Sequence, residues 1–419
     1  MRIAFLVSTF PTVSETFILD QVTGLIDRGH DVEIFPVLSE SKAAVHPEVE
    51  ARGLPGRRYL PPMPEAFWGR PAAAIRLALS QRGKIGGVQA KSLNFLRYGA
   101  RAASLRLFFE TAAIAARPRF DVIHAHFGPN GVRGLALREI GAVQGPLITS
   151  FYGYDVSEFP KGRSNPYGRL FAEGERFLAI SGDMKSKLIG LGCEPARILV
   201  HPLGVKTDLF TAAEGSRPGE TLRITTIGRM VPKKGYEFGL RAVAELVREV
   251  PGIRYRIIGD GPLRPVIEKM VDELGLGGVV ELAGWQSRPE VVRALHETDI
   301  LLAPSITAES GDEEGTPVVI MEAFASGIPV VSSFHAGIPE VVRHGVSGFL
   351  APEGDVAQLA AGLGQLAGSA EMRRRMGVAG RADIRRNHDI DKLNDQLIEI
   401  YSERGIPVGL GARPRDSVV

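Results

Sequence analysis

The sequence predicts an α/β protein made of two doubly wound, Rossmann-like domains with a cleft between them. Three observations predict it. The 419 residues, 44% of them hydrophobic, are more than one core usually organises, at roughly 150 to 200 residues per domain. Short, wholly apolar runs alternate with helix-period patterns, as strands covered on both faces alternate with crossover helices. That alternation starts at the first residues and restarts after Gly204.

The first strand is read at residues 3–7, IAFLV. In the segment that follows, Thr12 and Glu15 have capping-box spacing, Phe17, Ile18, Val22, Leu25 and Ile26 share one helical face, and Arg28-Gly29 makes a stop. DVEIFPV is the next strand, which completes a βαβ unit. Further strands are expected at 122–124 and 147–150. The second series has strands at 222–227, 254–258, 279–283, 300–303 and 329–332, with helices at 236–247 and 318–325. The polar, turn-rich TAAEGSRPGE links the series. The expected domains are 1–205 and 206–387. A helix near 388–404 should pack back on the first domain, and residues 405–419, with little to bury, should be loose.

Composition excludes several classes. A net charge of +2 with 23% charged residues gives no field for nucleic acid. One cysteine, Cys193, allows no internal disulfide and no thiolate cluster, which fits a reducing cytoplasm. The first apolar run is too short for a signal peptide, and no stretch approaches the roughly 20 apolar residues of a membrane span. Any membrane contact is therefore peripheral.

The chemistry concentrates in the second half. GRMVPKKG places Gly228, Arg229 and Lys234 at a strand's carboxyl end, where a guanidinium and an ammonium can stabilise a diphosphate leaving group in place of a divalent metal. A solvated basic turn is the plainer reading of that motif alone. In EEGTPVVIMEA, Thr316 fits an N-cap and Pro317 a first helical residue, so the amides near Val318 make an anion site. Glu314 lies before this helix and Glu322 inside it; they can bind sugar hydroxyls and a ribose diol respectively, or simply favour the helix dipole and solvent. IIGDGP lacks the third glycine of a dinucleotide fingerprint, since Arg264 stands there, so a turn near a donor base is preferred to NAD. Trp285 either borders that base or packs in a core. The acids Glu309, Asp312, Glu313 and Glu314 have no paired Asp-x-Asp, and no metal site is assigned. No serine-histidine-aspartate arrangement with a nucleophile elbow is found.

In joint order, GRMVPKKG, IIGDGP, Glu314 and Glu322 with seven residues between them, and GIPEVV at 337–342 resemble the retaining family 4 glycosyltransferases of GT-B fold, from the first strand to about Leu397. FPTVSETFI at 10–18, HAHFG at 124–128 and FYGYD at 151–155 are similar to bacterial exopolysaccharide enzymes of the colanic acid type. The resemblance implies that Arg229 and Lys234 hold the donor diphosphate, Glu322 the ribose, Glu314 the transferred sugar, and the backbone from Thr316 to Val318 a phosphate. His126 would contact the transferred sugar or the acceptor, and His124 would be structural. Ser14, Tyr152 and Asp155 are candidates for acceptor or sugar contact. It further implies a front-face reaction with no dedicated carboxylate base, a UDP- or GDP-sugar as substrate, and no cofactor or required metal. Three departures stand out: STFPTVSET replaces a glycine-bearing loop, leaving Thr12 or Ser14 to contact phosphate through hydroxyls; Lys206 stands where Asp is common; and Ala336 where Gly is common.

Residues 66–109 carry eight basic side chains and no acid, with Phe67, Trp68, Phe95, Tyr98, Phe108 and Phe109 interleaved. Two readings remain: an anionic membrane surface presenting a lipid-linked glycan acceptor, or ordinary helices with solvated arginines. Competing functions are a GT-B epimerase or phosphorylase, and a non-catalytic nucleotide-sugar binding subunit.

Overall fold

The computed structural model describes residues 1–12, 15–38, 47–81, 86–115, 117–211 and 221–403. Two six-stranded parallel sheets organise it. The first contains β1 (Arg2–Thr9), β2 (Asp31–Leu38), β3 (Val122–His126), β4 (Leu147–Phe151), β5 (Arg176–Ala179) and β6 (Ile198–Val200), in the order β2-β1-β3-β4-β5-β6. The second contains β7 (Leu222–Ile227), β8 (Ile253–Ile258), β9 (Val280–Gly284), β10 (Ile300–Ala303), β11 (Val330–Ser333) and β12 (Gly348–Ala351), in the order β12-β11-β10-β7-β8-β9.

The central strands β3, β4, β10 and β11 are buried at every position, because crossover helices cover both faces of each sheet. Pro36 is accommodated because β2 is an edge strand, paired with β1 on one side and joined on the other by an isolated bridge at Ile34 to Arg58. In each sheet the chain reverses its direction of winding at one point: between β1 and β3 in the first, between β7 and β10 in the second. Crevices at the carboxyl ends of such strands are where open α/β sheets bind ligands.

The helix Thr16–Asp27 starts with Glu15 at its N-cap and no side-chain cap. This corrects the expected capping box, since Thr12 lies three residues before that cap. The helix Ile390–Ser402 returns to the first sheet's layer. His124 Nδ1 lies 2.6 Å from the Tyr401 hydroxyl, His201 Nε2 lies 3.0 Å from the Leu393 carbonyl oxygen, and the Arg28 guanidinium meets Asp391 and Asp395. Ser14, most of the linker at 212–220 and the tail after 403 lie outside the described residues.

Candidate functional site

A cavity of about 750 Å³ lies between the two sheets, and all four loops at the winding reversals reach it. Ser8 and Glu15 come from the β1 side, Phe127 and Pro129 follow β3, Arg229 and Lys234 follow β7, and Asp312 to Thr316 follow β10. Phe127 has φ of 71°, an uncommon conformation for a bulky residue and one that concentrates at functional sites.

Gly228 opens the cationic loop. Its carbonyl lies so close to Gly259 that a Cβ there would stand 1.9 Å from the oxygen, which explains the glycine of IIGDGP sterically. Arg229 is exposed, and among the described residues it makes no ion pair. Lys234 Nζ donates to Glu314 Oε2 at 2.9 Å. The neighbouring Lys233 donates to Asp312 Oδ1 at 3.1 Å and to the Glu313 carbonyl at 3.2 Å, with Glu314 Oε1 at 3.7 Å. Burial raises the Glu314 carboxyl, but Lys234 and Lys233 outweigh it and hold the group below its ordinary value. The acidic run is thus substantially ion-paired, Glu313 meeting Lys187 across the cleft. Among the described residues no group of three or more potential ligands is placed to hold a metal ion.

The helix Val318–Ala325 points its first amides at the cavity wall. Pro317, not Thr316, is its N-cap, and no side chain caps it. The start therefore lies one residue later than expected, and Pro317 offers no oxygen to the amides of Val318 and Val319. Glu322, one turn further in, is 8% exposed. Burial pushes its carboxyl up to about 7, opposed by Arg288 and reinforced by Asp20. Trp285 stands half-exposed on the same wall.

The first domain contributes Tyr152, whose ring packs against Phe17 and Phe127 at 4.8 and 4.6 Å between centroids. His126 lies behind the wall. It is fully buried, its Nδ1 is 2.6 Å from the Tyr152 hydroxyl, and its Nε2 has no hydrogen-bond partner among the described residues. Burial depresses its pKa to about 3, so the imidazole is neutral near pH 7. Asp155 is also fully buried; its carboxylate accepts from the amides of Gly128, Tyr152 and Gly153 at 2.9 to 3.0 Å and ties the loops after β3 and β4 together. Among the described residues, the side-chain hydroxyls that reach the cavity from the β1 side are Ser8 and Thr16, whereas Thr12 does not line it.

Several site residues escaped the sequence reading. Arg288 makes a bidentate pair with Asp20 at 2.7 and 2.8 Å, and Lys206 joins the same cluster through Asp20 and Glu48. Lys206, a departure from the family pattern, thus serves the contact between domains. No local signal could have shown Arg288, since its partner is 268 positions away. Lys233 had one, as half of a lysine doublet. Glu340 accepts from the amides of Gly182 and Asp183 at 2.9 and 3.0 Å. At Gly315 a Cβ would meet the Tyr152 carbonyl oxygen at 1.9 Å, so the two domains touch there only because the residue is glycine.

Comparison with known proteins agrees with this architecture. Residues 14–209 match the model of glycosyltransferase family 4, and residues 210–383 that of the glycosyl transferases group 1. The chain is 38% identical, over 87% of its length and 90% of the relative, to a protein described as the colanic acid biosynthesis glycosyltransferase WcaL of Salmonella typhimurium. It is 37% identical, over 86% and 89%, to the amylovoran biosynthesis glycosyltransferase AmsK of Erwinia amylovora. The crystal structure of Anabaena HepE in complex with UDP-glucose superposes with a TM-score of 0.68 at 18% identity, covering 96% of this chain and 99% of that one. This last likeness concerns the fold, which is GT-B. The chain belongs to the family 4 glycosyltransferases.

Proposed function

We propose that the protein moves a sugar from a UDP- or GDP-sugar to a growing, lipid-linked exopolysaccharide. In this reading it works with retention of anomeric configuration, without a metal ion, and peripherally on the cytoplasmic face of the cell membrane. The observation that carries the reading is the meeting, in one cavity, of exposed Arg229, Lys234 and the uncapped start of the helix Val318–Ala325. Negative charge grows on a diphosphate as the sugar leaves. Fixed cations and amides aimed at that charge stabilise the transition state more than the ground state.

The placement of Arg229, Lys234, Glu314, Glu322 and Tyr152 around the cavity supports these roles. Arg229 and Lys234, with the backbone of Gly228, Thr316 and Val318 beside the ring of Pro317, receive the diphosphate. Lys234 then exchanges part of its bond to Glu314 for phosphate oxygen, which frees Glu314 to accept from hydroxyls of the transferred sugar. Glu322 accepts from the ribose. Tyr152 faces the acceptor, His126 orients its hydroxyl, and Asp155 positions the backbone around it. The leaving phosphate assists deprotonation of the acceptor on the same face. Colanic acid and amylovoran in the relatives' names support an exopolysaccharide product. The exposed Phe67, Trp68, Phe95 and Leu96 in a segment of eight basic residues support a membrane-bound acceptor. No helix of the described residues is long and apolar enough to cross a membrane.

The test is sugar release or transfer from UDP- and GDP-sugars in the presence of EDTA, comparing wild type with Lys234→Ala. Loss of one such donor group should slow the reaction by roughly 10²- to 10³-fold. Equal rates in the two proteins would remove Lys234 from the clamp, and a strict need for added metal would remove the metal-independent mechanism.

A further inference from the structure

Three loops leave the carboxyl ends of the neighbouring strands β10, β11 and β12, and one histidine joins them. His335 follows β11, is 2% exposed and is not among the described residues that line the central cavity. Its Nε2 accepts from the Glu314 amide at 3.1 Å. A backbone N–H can only donate, so this nitrogen presents a lone pair and the ring proton sits on Nδ1. Nδ1 in turn donates to Glu353 Oε1 at 2.6 Å. Glu353, after β12, also accepts from the Thr307 amide at 2.7 Å and from the Thr307 hydroxyl at 3.3 Å. Burial raises the Glu353 carboxyl, but the Thr307 amide and the His335 ring outweigh it and hold the group below its ordinary value.

The hydrogen bonds run from Thr307 through Glu353 and His335 to Glu314, and so tie the two ends of the loop after β10 together. A second contact runs the other way, the Gly337 amide donating to the Gly315 carbonyl at 3.3 Å. Ala336, between His335 and Gly337, has a φ of 43°, and this left-handed turn directs both contacts at residues 314 and 315. The Glu314 carboxylate itself is held by Lys234 and Lys233, and Lys234 is the cation that turns to the diphosphate in the transferase reading. Once that bond loosens, the side chain is placed by its backbone, and the backbone by His335. A group that meets a reacting substrate must be held to within a fraction of an ångström.

We propose that His335, with Glu353, is a positioning residue that sets where Glu314 meets the transferred sugar. The proposal rests on the transferase reading, in which Glu314 touches the sugar and not the nucleotide.

The experiment compares two substitutions that each preserve one half of the imidazole. His335→Asn keeps a donor near the position of Nδ1 and offers Glu314 no acceptor. His335→Gln reaches the position of Nε2, where its carbonyl oxygen can accept from the Glu314 amide. For each, sugar release or transfer from the UDP- or GDP-sugar that wild type uses is measured beside the rise in unfolding temperature given by the matching nucleoside diphosphate alone. His335→Asn should lower kcat by about 10- to 100-fold with nucleotide affinity unchanged, and His335→Gln should recover most of the lost rate. Glu353→Ala, at a side chain 34% exposed, should also lower kcat with nucleotide affinity unchanged, and it decides the question if the substitutions at the buried position do not fold. Equal rates in His335→Asn and His335→Gln, or a loss of rate matched by a loss of nucleotide affinity, would overturn the proposal. So would a full rate in Glu353→Ala. Wild type that released no sugar from any of these donors would remove the transferase reading itself, and the positioning role with it.

Discussion

Glu322 shows how burial sets chemistry at a single residue. Its carboxyl, raised to about 7, changes charge in the range where the protein would work. As a carboxylate it accepts hydrogen bonds from both ribose hydroxyls; protonated, it must donate one. Donor affinity should therefore fall as pH drops through 7, and Glu322→Gln should flatten that dependence in a nucleotide titration. The same residue bears on stability. Above pH 7 the native state carries a desolvated carboxylate that the unfolded chain hydrates, so Glu322→Gln should raise unfolding free energy by about 3 kcal/mol at pH 8. The gain should shrink as pH falls from 7 and vanish below the ordinary value of 4.5. A denaturant series at several pH values reads this directly; a gain independent of pH would point to packing instead. His126 cannot produce this limb, because its pKa of about 3 keeps it neutral through the whole interval. At Ala336 the residue stands at φ of 43°, a left-handed conformation, which gives the physical reason that glycine is common at this place.

Among the elements, legibility followed length and period. The helix Val318–Ala325 and the strands β7 and β10 coincide with the apolar runs that marked them. Three strands, β5, β6 and β12, carried no separate signal. They are four, three and four residues long; β10 is as short, and was marked by the wholly apolar run Ile300, Leu301 and Leu302. The start of Thr16–Asp27 was misread because capping-box spacing is satisfied by many sequences in which another residue begins the helix. The helix Ile390–Ser402 was expected to pack back on the first domain, but its partners were not readable, since Tyr401 and His124 are 277 positions apart. Tyr401→Phe would leave His124 Nδ1 buried without that hydroxyl. It should lower stability by about 1 to 3 kcal/mol in chemical denaturation. An unchanged midpoint would show that His124 finds another partner or does not need one.

At the scale of the whole molecule, two parallel sheets face each other with their carboxyl ends, and each contributes the loops at its own winding reversal to one cavity. The residues of the cationic loop and helix start were legible because they are contiguous in sequence and have a chemical reason to be adjacent. The ion pairs across the cleft, Arg288 with Asp20 and Lys187 with Glu313, were not. They couple positions that only the folded chain brings together. The same holds for His126, whose place behind Tyr152 depends on how β3 and β4 align. The small net charge of +2 means that anion binding must come from local groups, and of the cations that line the central cavity Arg229 is the one with no ion pair among the described residues. The central claim is that this cavity takes a nucleoside diphosphate without metal. It is tested most directly by the rise in unfolding temperature with UDP and with GDP, in EDTA, for wild type and Arg229→Ala. One nucleotide should stabilise wild type, with affinity reduced about 10- to 100-fold in the variant, as expected for loss of a charged hydrogen-bonding group. No stabilisation of wild type by either nucleotide, or equal stabilisation of both proteins, would contradict the account.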